Sequence, residues 1–507
     1  MRLAELLSAV EPQAVNAAGD AEICGLAYDS RAVVPGDLFF ALRGVAADGH
    51  RFLGAARERG AVAAVVEDSS AVPAGLPFVQ VADARLTMAR MAARFYGEPT
   101  AGVPLVGITG TNGKTTTSYL VEAILERAGI PAAVLGTVSY RFRERLLPAP
   151  HTTPESVELQ RTLRELLEAG ARGVVMEVSS HALEQHRVDG CRFDVGVFTN
   201  LTRDHLDYHR DMETYFASKA RLFRELLAPG QGKPGCQAVI NSDDPYGARL
   251  AAAAPGPVIT FGLTGTPAVT ARDVLFSTEG IRATLVTPRG EIHLHSRLLG
   301  RFNLANLLAA AAAGYALGLP AAAIRAGLEG HATVPGRLER VENDRGVILL
   351  VDYAHTGDAL ENVLQTLAEL KAGRIITVFG SGGDRDRGKR PVMGEVAARF
   401  SDLAIVTSDN PRTEDPHAII AEVRAGILPL GLREYRSAEL EAGLPEKGFV
   451  ILANRREAIR LAVRLARPGD IVLLAGKGHE DYQIIGTTKH HFDDREEAAA
   501  AFLEPTP

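Results

Sequence analysis

Seven consecutive residues, GTNGKTT at 110–116, are of the types and spacing that handle phosphate. Glycines let backbone N–H groups come close to phosphate oxygens. The Lys114 ammonium can hold terminal phosphates, and the Thr115 hydroxyl can ligate Mg²⁺. The spacing is shorter than the usual phosphate loop, G-x-x-x-x-G-K-[ST], which would need glycine where this chain has Ile108. The nearest glycine is Gly110, giving G-T-N-G-K-T. Taken alone, the stretch is either a Gly-rich turn capping a helix or a nucleotide loop of a tighter class.

Two downstream features favour the second. In VVMEVSSHALEQHR, Glu177 closes an apolar run, where nucleotide-binding folds often keep a second Mg²⁺-directed carboxylate. A strand-end glutamate in solvent would read the same. In FTNLTRDHLDYHRDMETYFASKARLF, Asp204, His205, Asp207 and His209 crowd one loop, and Lys219 follows on a helical stretch. A solvated, capped turn and a surface lysine are the plain alternatives there.

Such residues must be held by regular elements. From 103 onward, apolar runs alternate with helical stretches: PLVGITG, TTSYLVEAILERAG, AAVLGTV, RGVVMEVSS, DVGVFTNL, QAVINSDD. This rhythm predicts a mostly parallel sheet covered on both faces, with the loop after its first strand opening its first helix. Residues 1–98 read as a smaller α/β unit, with strands in DLFFAL, AVAAVVE and PFVQV and a helix in HRFLGAARERG. The Gly- and Pro-containing FYGEPTAGVP marks its boundary. A second boundary falls near HATVPGRLERVEN, after which VILLVDYAH, RIITVFGSGGD, LAIVTSDN and IVLLAGKGHE restart the alternation. The expected fold class is therefore α/β in three domains. These are 1–98, a central phosphate-loop domain at 99–335, and a C-terminal Rossmann-like domain at 336–507.

A chain of 507 residues is long for one core. A net charge of −7 argues against a general nucleic-acid or membrane-surface binder. The cysteines Cys24, Cys191 and Cys236 are far apart, without a C-x-x-C, so neither a disulfide framework nor a zinc site is indicated. MRLAELLSAVEPQ lacks a basic start followed by an apolar run, so no signal peptide is expected. FNLANLLAAAAAGYALGLPAAAI is long and nearly uncharged, but it is Ala-rich and contains Asn303, Asn306 and Pro320. A buried helix is expected rather than a membrane span, and a cytoplasmic protein.

GTNGKTTT, MEVSSHALEQHR and NLTRDHLDYH together resemble the ATP-dependent Mur ligases, whose shortened loop also occurs in folylpolyglutamate synthetases. The resemblance extends over nearly the whole chain, through YDSRAVVPGDLFFALRGVAADGHRF, HTTPES, RFNLANLLAA, VPGRLERV, VDYAHTGDAL, FGSGGDRDRGKR, DNPRTED and AGKGHEDYQ. It implies ATP-dependent amide formation between UDP-N-acetylmuramoyl-L-alanyl-D-glutamate and meso-2,6-diaminopimelate, in peptidoglycan precursor synthesis. The γ-carboxylate of D-Glu is a poor acyl donor. Phosphoryl transfer from ATP would make it an acyl phosphate, which the amine attacks.

The same resemblance implies residue roles. Gly110, Thr111, Asn112, Gly113, Lys114, Thr115 and Thr116 would bind ATP, with Asn303, Asn306, Arg337 and the Asp352–His355 stretch lining its site. Mg²⁺ would be the cofactor, met by Thr115, Glu177, His205 and a Lys219 carbamylated by CO₂. Lys114, Glu177, His205 and Lys219 form the implied catalytic set. Tyr28, Ser30, Val45, Ala46 and Ala47 would contact uridine, and the last domain would hold the amino acid. Thr152, Thr153, Ser179, Gln185 and Arg187 would hold the muramoyl-dipeptide. Arg385, Asp409, Asn410, Pro411, Arg412, Gly476 and Glu480 would hold diaminopimelate, Arg412 taking its distal carboxylate and Glu480 its ammonium. Lysine-adding relatives lack this arginine.

The chain departs from the family pattern at Gly357, where proline is usual, and at His151, where asparagine commonly precedes the Thr-Thr pair. Folylpolyglutamate synthetases lack the N-terminal domain and DNPR. A non-catalytic phosphate-loop regulator would not need Lys114, Glu177, His205 and Lys219 together. The implied partners are small molecules only, without nucleic acid or membrane insertion, and the chain is expected to be a monomer.

Overall fold

The computed structural model describes the chain except for residues 45–46, 331–332, 442 and 505–507, and the side chain at 207. Uridine contacts expected at Val45 and Ala46 lie outside the described residues. The small N-terminal sheet runs, edge to edge, Ala14–Asn16, Phe78–Gln80, Ala63–Val66, Asp37–Phe40 and Gly25–Ala27. Its first strand pairs antiparallel and the rest are parallel. The apolar runs named from sequence form its three central strands.

The central sheet has eight strands. Val258–Phe261, Gln237–Asn241, Val195–Phe198, Leu105–Thr109, Gly173–Glu177 and Ala132–Leu135 lie side by side and parallel. Tyr140–Phe142 and Arg145–Leu147 continue it as antiparallel strands. Leu105–Thr109 is buried along its whole length, as is Gly173–Glu177, which explains their unbroken apolar reading. Full burial of each Val, Leu or Ile there contributes roughly 1.5–3 kcal/mol. Because these two strands are neighbours, with Glu177 opposite Ile108, the carboxylate arrives beside the phosphate loop.

A three-stranded antiparallel sheet follows, Thr270–Ser277, Gly280–Thr287 and Gly290–Ser296, which the sequence reading did not separate. The Ala-rich stretch forms two helices, Arg301–Ala316 and Ala321–Gly330. Gly318 (φ +73°) and Pro320 lie in the break between them. Ala309 to Ala313 are wholly buried. No helix among the described residues is long and apolar enough to cross a membrane.

The last large sheet runs Glu339–Val341, Ile348–Asp352, Ile471–Ala475, Ile375–Phe379, Leu403–Val406, Gly448–Ile451 and Arg433–Tyr435, parallel except at the first strand. The four strands expected from sequence sit at its centre. Their carboxyl ends carry the 353–356, 380–388, 407–415 and 476–481 loops, the edge where open α/β sheets bind ligands.

Candidate active site

The phosphate loop takes its shape from two glycines that leave room for a neighbour. A Cβ on Gly110 would lie 1.9 Å from Thr199 Oγ1. One on Gly113 (φ +87°) would lie 2.4 Å from Asn306 Oδ1. Only glycine allows both approaches. Gly113 then caps the helix Lys114–Arg127, whose first turn points its amides at the loop. Asn306 is oriented in turn by Asn303, whose Oδ1 accepts from Asn306 Nδ2 at 3.0 Å while its own Nδ2 donates to Leu299 O at 2.9 Å. Asn303 is therefore buried behind the site and steadies it at one remove.

This loop lines a cavity of about 330 Å³ together with Thr137, Thr152, Glu177, Ser179, Asp204, His205, Asn306, Arg337 and residues 352–356. Thr115 Oγ1 donates to Glu177 Oε2 at 3.2 Å. Arg337 reaches Thr115 Oγ1 at 3.4 Å and lies 4.9 Å over the Tyr353 ring. Asp352 accepts from Leu338 N (2.7 Å) and Ala354 N (2.8 Å), and burial pushes its carboxyl upward. Burial also pushes His355 down to about 4, with help from the nearby Lys389 charge.

Lys219 is not a surface residue. It is 2% exposed, on the helix Met212–Arg221, and donates to Gly110 O at 2.9 Å. Lys114 donates to the same oxygen at 2.8 Å and to Thr111 O at 2.9 Å. Burial lowers both ammoniums, and the Lys114 charge drives Lys219 further down. His205 lines the cavity with a left-handed backbone (φ 53°). His209 sits away from it, buried, with Nε2 2.8 Å from Ser180 Oγ.

Oxygen donors for Mg²⁺ are present, since Thr115 and Glu177 offer hard ligands side by side. No group of three His, Cys, Asp or Glu among the described residues could hold a metal alone. That donor set fits a cation that keeps most of its shell as water and phosphate oxygens.

Along one wall the muramoyl-dipeptide candidates divide. Thr152 and Ser179 line the cavity, whereas Thr153 is fully buried and donates to Glu177 O at 2.8 Å, a supporting contact. Arg187 donates to Thr153 O and Gln185 Oε1, each at 2.8 Å, and pairs with Glu155 at 2.8 Å. Gln185 Nε2 donates to Tyr208 OH at 3.0 Å. Tyr28 packs against a cluster that includes Val157 of the central-domain helix Ser156–Glu168, and burial and the Glu158 carboxylate push its phenol up. Ser30 follows in a half-exposed turn, and Ala47 O accepts from Gly44 N at 2.9 Å.

A second polar cluster forms at the carboxyl edge of the last sheet. Asn410 Nδ2 donates to Glu480 Oε2 at 2.9 Å. Lys477, fully buried, lies 3.3 Å from Asp409 Oδ1 and donates to Asn410 Oδ1 (3.2 Å) and Tyr482 O (2.6 Å). Burial and the Asp409 charge raise the Glu480 carboxyl. A Cβ on Gly476 would lie 3.0 Å from Asp409 Oδ2. Arg412 has a left-handed backbone (φ 51°), next to Pro411, and its Nη1 donates to Gly383 O at 2.7 Å. Arg385 is exposed, its Cγ and Arg412 Nη1 both flanking Gly382. Arg390 clamps this region. Buried at the start of its helix, it pairs with Glu414 (2.7 Å) and Glu422 (2.9 Å) and donates to Gly382 O at 3.2 Å.

Three domain families match in order: the Mur ligase family catalytic domain over 22–96, the Mur ligase middle domain over 108–314, and the Mur ligase glutamate ligase domain over 336–478. The chain belongs to the Mur ligase family. It is 69% identical over 504 residues, 99% of both chains, to the UDP-N-acetylmuramoyl-L-alanyl-D-glutamate–2,6-diaminopimelate ligase of Geobacter metallireducens. It is 68% identical, over 99% of both chains, to the enzyme of that name from Geobacter sulfurreducens. A solved structure of a ligase of the same name superposes with a TM-score of 0.70 at 34% identity, covering 99% of this chain and 98% of the other. MurF of Acinetobacter baumannii shares the fold, with a TM-score of 0.64 at 19% identity over 99% of both chains.

Within this Mur ligase fold, the sequence reading missed Thr137, Lys389, Arg390 and Lys477. GKR and GKGHE were singled out as motifs, so both lysines and Arg390 were within reach. Thr137 was not, because its partner Glu177 lies 40 residues away.

Proposed function

We propose that this Mur ligase joins meso-2,6-diaminopimelate to UDP-N-acetylmuramoyl-L-alanyl-D-glutamate at the expense of ATP, through an acyl phosphate. The observation that carries this reading is that one cavity is lined by the phosphate loop, by Glu177 and by the Thr152–Ser179 wall, in a chain 69% identical to a ligase of that name. Its reaction needs triphosphate and substrate carboxylate in one place.

In this reading the loop amides and Lys114 hold the β- and γ-phosphates, Lys114 leaving the loop carbonyls it now binds. Thr115 and Glu177 would hold Mg²⁺, with His205 nearby, and the ion would supply positive charge against the transferring phosphoryl group. Lys219 meets CO₂ as a neutral amine: its nitrogen bonds the carbon, one proton leaves, and a carbamate oxygen faces the same site. Arg187 turns toward a substrate carboxylate; its buried Nε, without a hydrogen-bond partner now, is the donor free for this. Burial and the nearby Lys389 charge hold His355 down to about 4, so its imidazole is neutral near pH 7, and among the described residues lining the cavity Lys114 and Arg337 bring the positive charge that faces the phosphates.

Asp409, Asn410, Gly476 and Glu480 cradle the distal centre of diaminopimelate, with Arg412 and Arg385 at its carboxylate. The protein acts as a cytoplasmic monomer on small molecules. Phosphate release from ATP tests the proposal, with the UDP-muramoyl-dipeptide and either meso-diaminopimelate or L-lysine as acceptor. Release with diaminopimelate alone is expected; equal release with lysine would sink the specificity, and no release with either would sink the ligase reading.

A further inference from the structure

We infer that Thr137 is a positioning residue that couples the muramoyl-dipeptide side of the cavity to the nucleotide side, an inference that rests on the ligase reading above. Thr137 follows the strand Ala132–Leu135 and, with Gly136, wraps the Glu177 carboxylate. Its backbone N–H donates to Glu177 Oε1 at 3.1 Å and its Oγ1 to Oε2 at 2.9 Å. A Cβ on Gly136 would lie 2.3 Å from Oε1, so the wrap closes only on glycine. On its far side, Thr137 Oγ1 meets Thr152 Oγ1 at 3.1 Å.

The direction of these bonds follows from counting hydrogens. A carboxylate accepts only, so the single Thr137 hydroxyl hydrogen points at Glu177. The contact to Thr152 must then be donated by Thr152. That leaves Thr152 with lone pairs alone to offer the cavity it lines. A ligand group meeting Thr152 must bring its own hydrogen, as an amide N–H or a sugar hydroxyl does and a phosphate or carboxylate oxygen does not. When such a group binds, four oriented hydrogen-bonding groups run from the ligand through Thr152 and Thr137 to Glu177, each polarising the next. Occupancy by the dipeptide substrate thereby stiffens the carboxylate that faces Thr115, and the two binding events assist each other.

The test compares wild type with Thr137→Val, Thr137→Ser and Thr152→Val. Binding of a non-hydrolysable ATP analogue is measured by calorimetry, with and without Mg²⁺ and with and without UDP-MurNAc-L-Ala-D-Glu. kcat and KM are then measured for each substrate, and melting temperature reports the fold. In wild type the dipeptide is expected to tighten nucleotide binding in Mg²⁺. Thr137→Val loses that tightening and lowers kcat roughly ten- to a hundredfold, leaving the KM for diaminopimelate unchanged. Thr137→Ser restores both. If the valine variant does not fold, Thr152→Val carries the test, since it leaves both Thr137–Glu177 bonds in place. It should bind nucleotide alone as wild type does and, with dipeptide added to saturation as its own calorimetric titration confirms, still lose the tightening. An active wild type whose tightening survives in both valine variants overturns the role of Thr137. A wild type that releases no phosphate with dipeptide and diaminopimelate overturns the ligase reading, and this inference with it.

Discussion

Lys114 and Lys219 place their amines on one carbonyl oxygen, Gly110 O, at 2.8 and 2.9 Å. Lys219 is buried and Lys114 half-buried; burial first, and the Lys114 charge after it, drive the Lys219 pKa well down. A neutral amine is the form that captures CO₂. Replacing Lys219 by Arg or Ala should therefore cut phosphate release by roughly 10²-fold or more, as loss of a preorganised charge at a transferring group does. Nucleotide binding, read by calorimetry, should change far less. Wild-type enzyme depleted of CO₂ should lose activity and regain it with bicarbonate. A fully active Lys219→Ala would remove this residue from the machinery.

Arg412 has its backbone held on both sides, by Ile484 O at 3.1 Å and by Gly486 N at 2.8 Å, so trimming its side chain should leave the loop standing. Arg412→Ala is expected to lower kcat/KM for diaminopimelate roughly thirty- to a hundredfold, the worth of about 2–3 kcal/mol. The KM for ATP should not move. Arg390→Leu should act differently: it removes the clamp behind Arg385 and Arg412 and costs about 2–3 kcal/mol of stability. That sits at or below the range for a broken buried pair because Glu414 and Glu422 keep 24% and 27% side-chain exposure. Chemical denaturation of the two variants separates a lost contact from a loosened loop.

His355 and His479 are both held near 4, chiefly by burial, against an ordinary value of 6.5. The folded-state values are depressed, so between pH 6.5 and 4 the unfolded chain binds more protons than the folded one. Stability is then unaffected above pH 6.5 and falls as pH drops through the window, by about 2 kcal/mol per histidine at pH 5. Thermal unfolding of wild type and His479→Gln at pH 7 and pH 5 checks this. The variant should lose part of the acid sensitivity, and an equal drop in both proteins would exclude His479 as a source.

Gly357 opens the helix Gly357–Leu370, at a position where proline is ordinarily well tolerated. Here a Cβ at 357 would lie 2.6 Å from Val392 Cγ1. Gly357→Pro should therefore destabilise the protein by about 1–3 kcal/mol, the usual range for an overpacked contact. Adding Val392→Ala should recover it. Melting temperatures of the single and double variants decide the matter. A stabilising Gly357→Pro would show that Val392 yields freely.

Strand-forming runs were legible because parallel strands buried on both faces read as continuous Val, Ile and Leu, as in VILLVD and LAIVT. The strands Thr270–Ser277 and Gly290–Ser296 were not, since one face of each is largely exposed and their apolar residues are diluted. In the site, Lys114 and Glu177 could be read from loop and strand-end chemistry. The burial of Lys219 could not, because YFASKARLF is amphipathic, and only the fold shows which face packs inward. Thr137 stayed hidden for a related reason: the strand order puts Ala132–Leu135 beside Gly173–Glu177, and no local pattern records that adjacency. Thr153 was legible as a motif residue, yet burial assigns its hydroxyl to the backbone of Glu177 rather than to the cavity.

The short phosphate loop is completed from elsewhere in the chain. Asn306, from a helix nearly two hundred residues downstream, occupies the space beside Gly113, and Thr199 fills the space beside Gly110. The segment 103–125 is thus not a portable module. Grafted onto another scaffold, or made as a peptide, it would lack the two walls that hold its amides in a concave arc. A library of transplanted loops built on this sequence should recover phosphate binding only when counterparts of Thr199 and Asn306 travel with it.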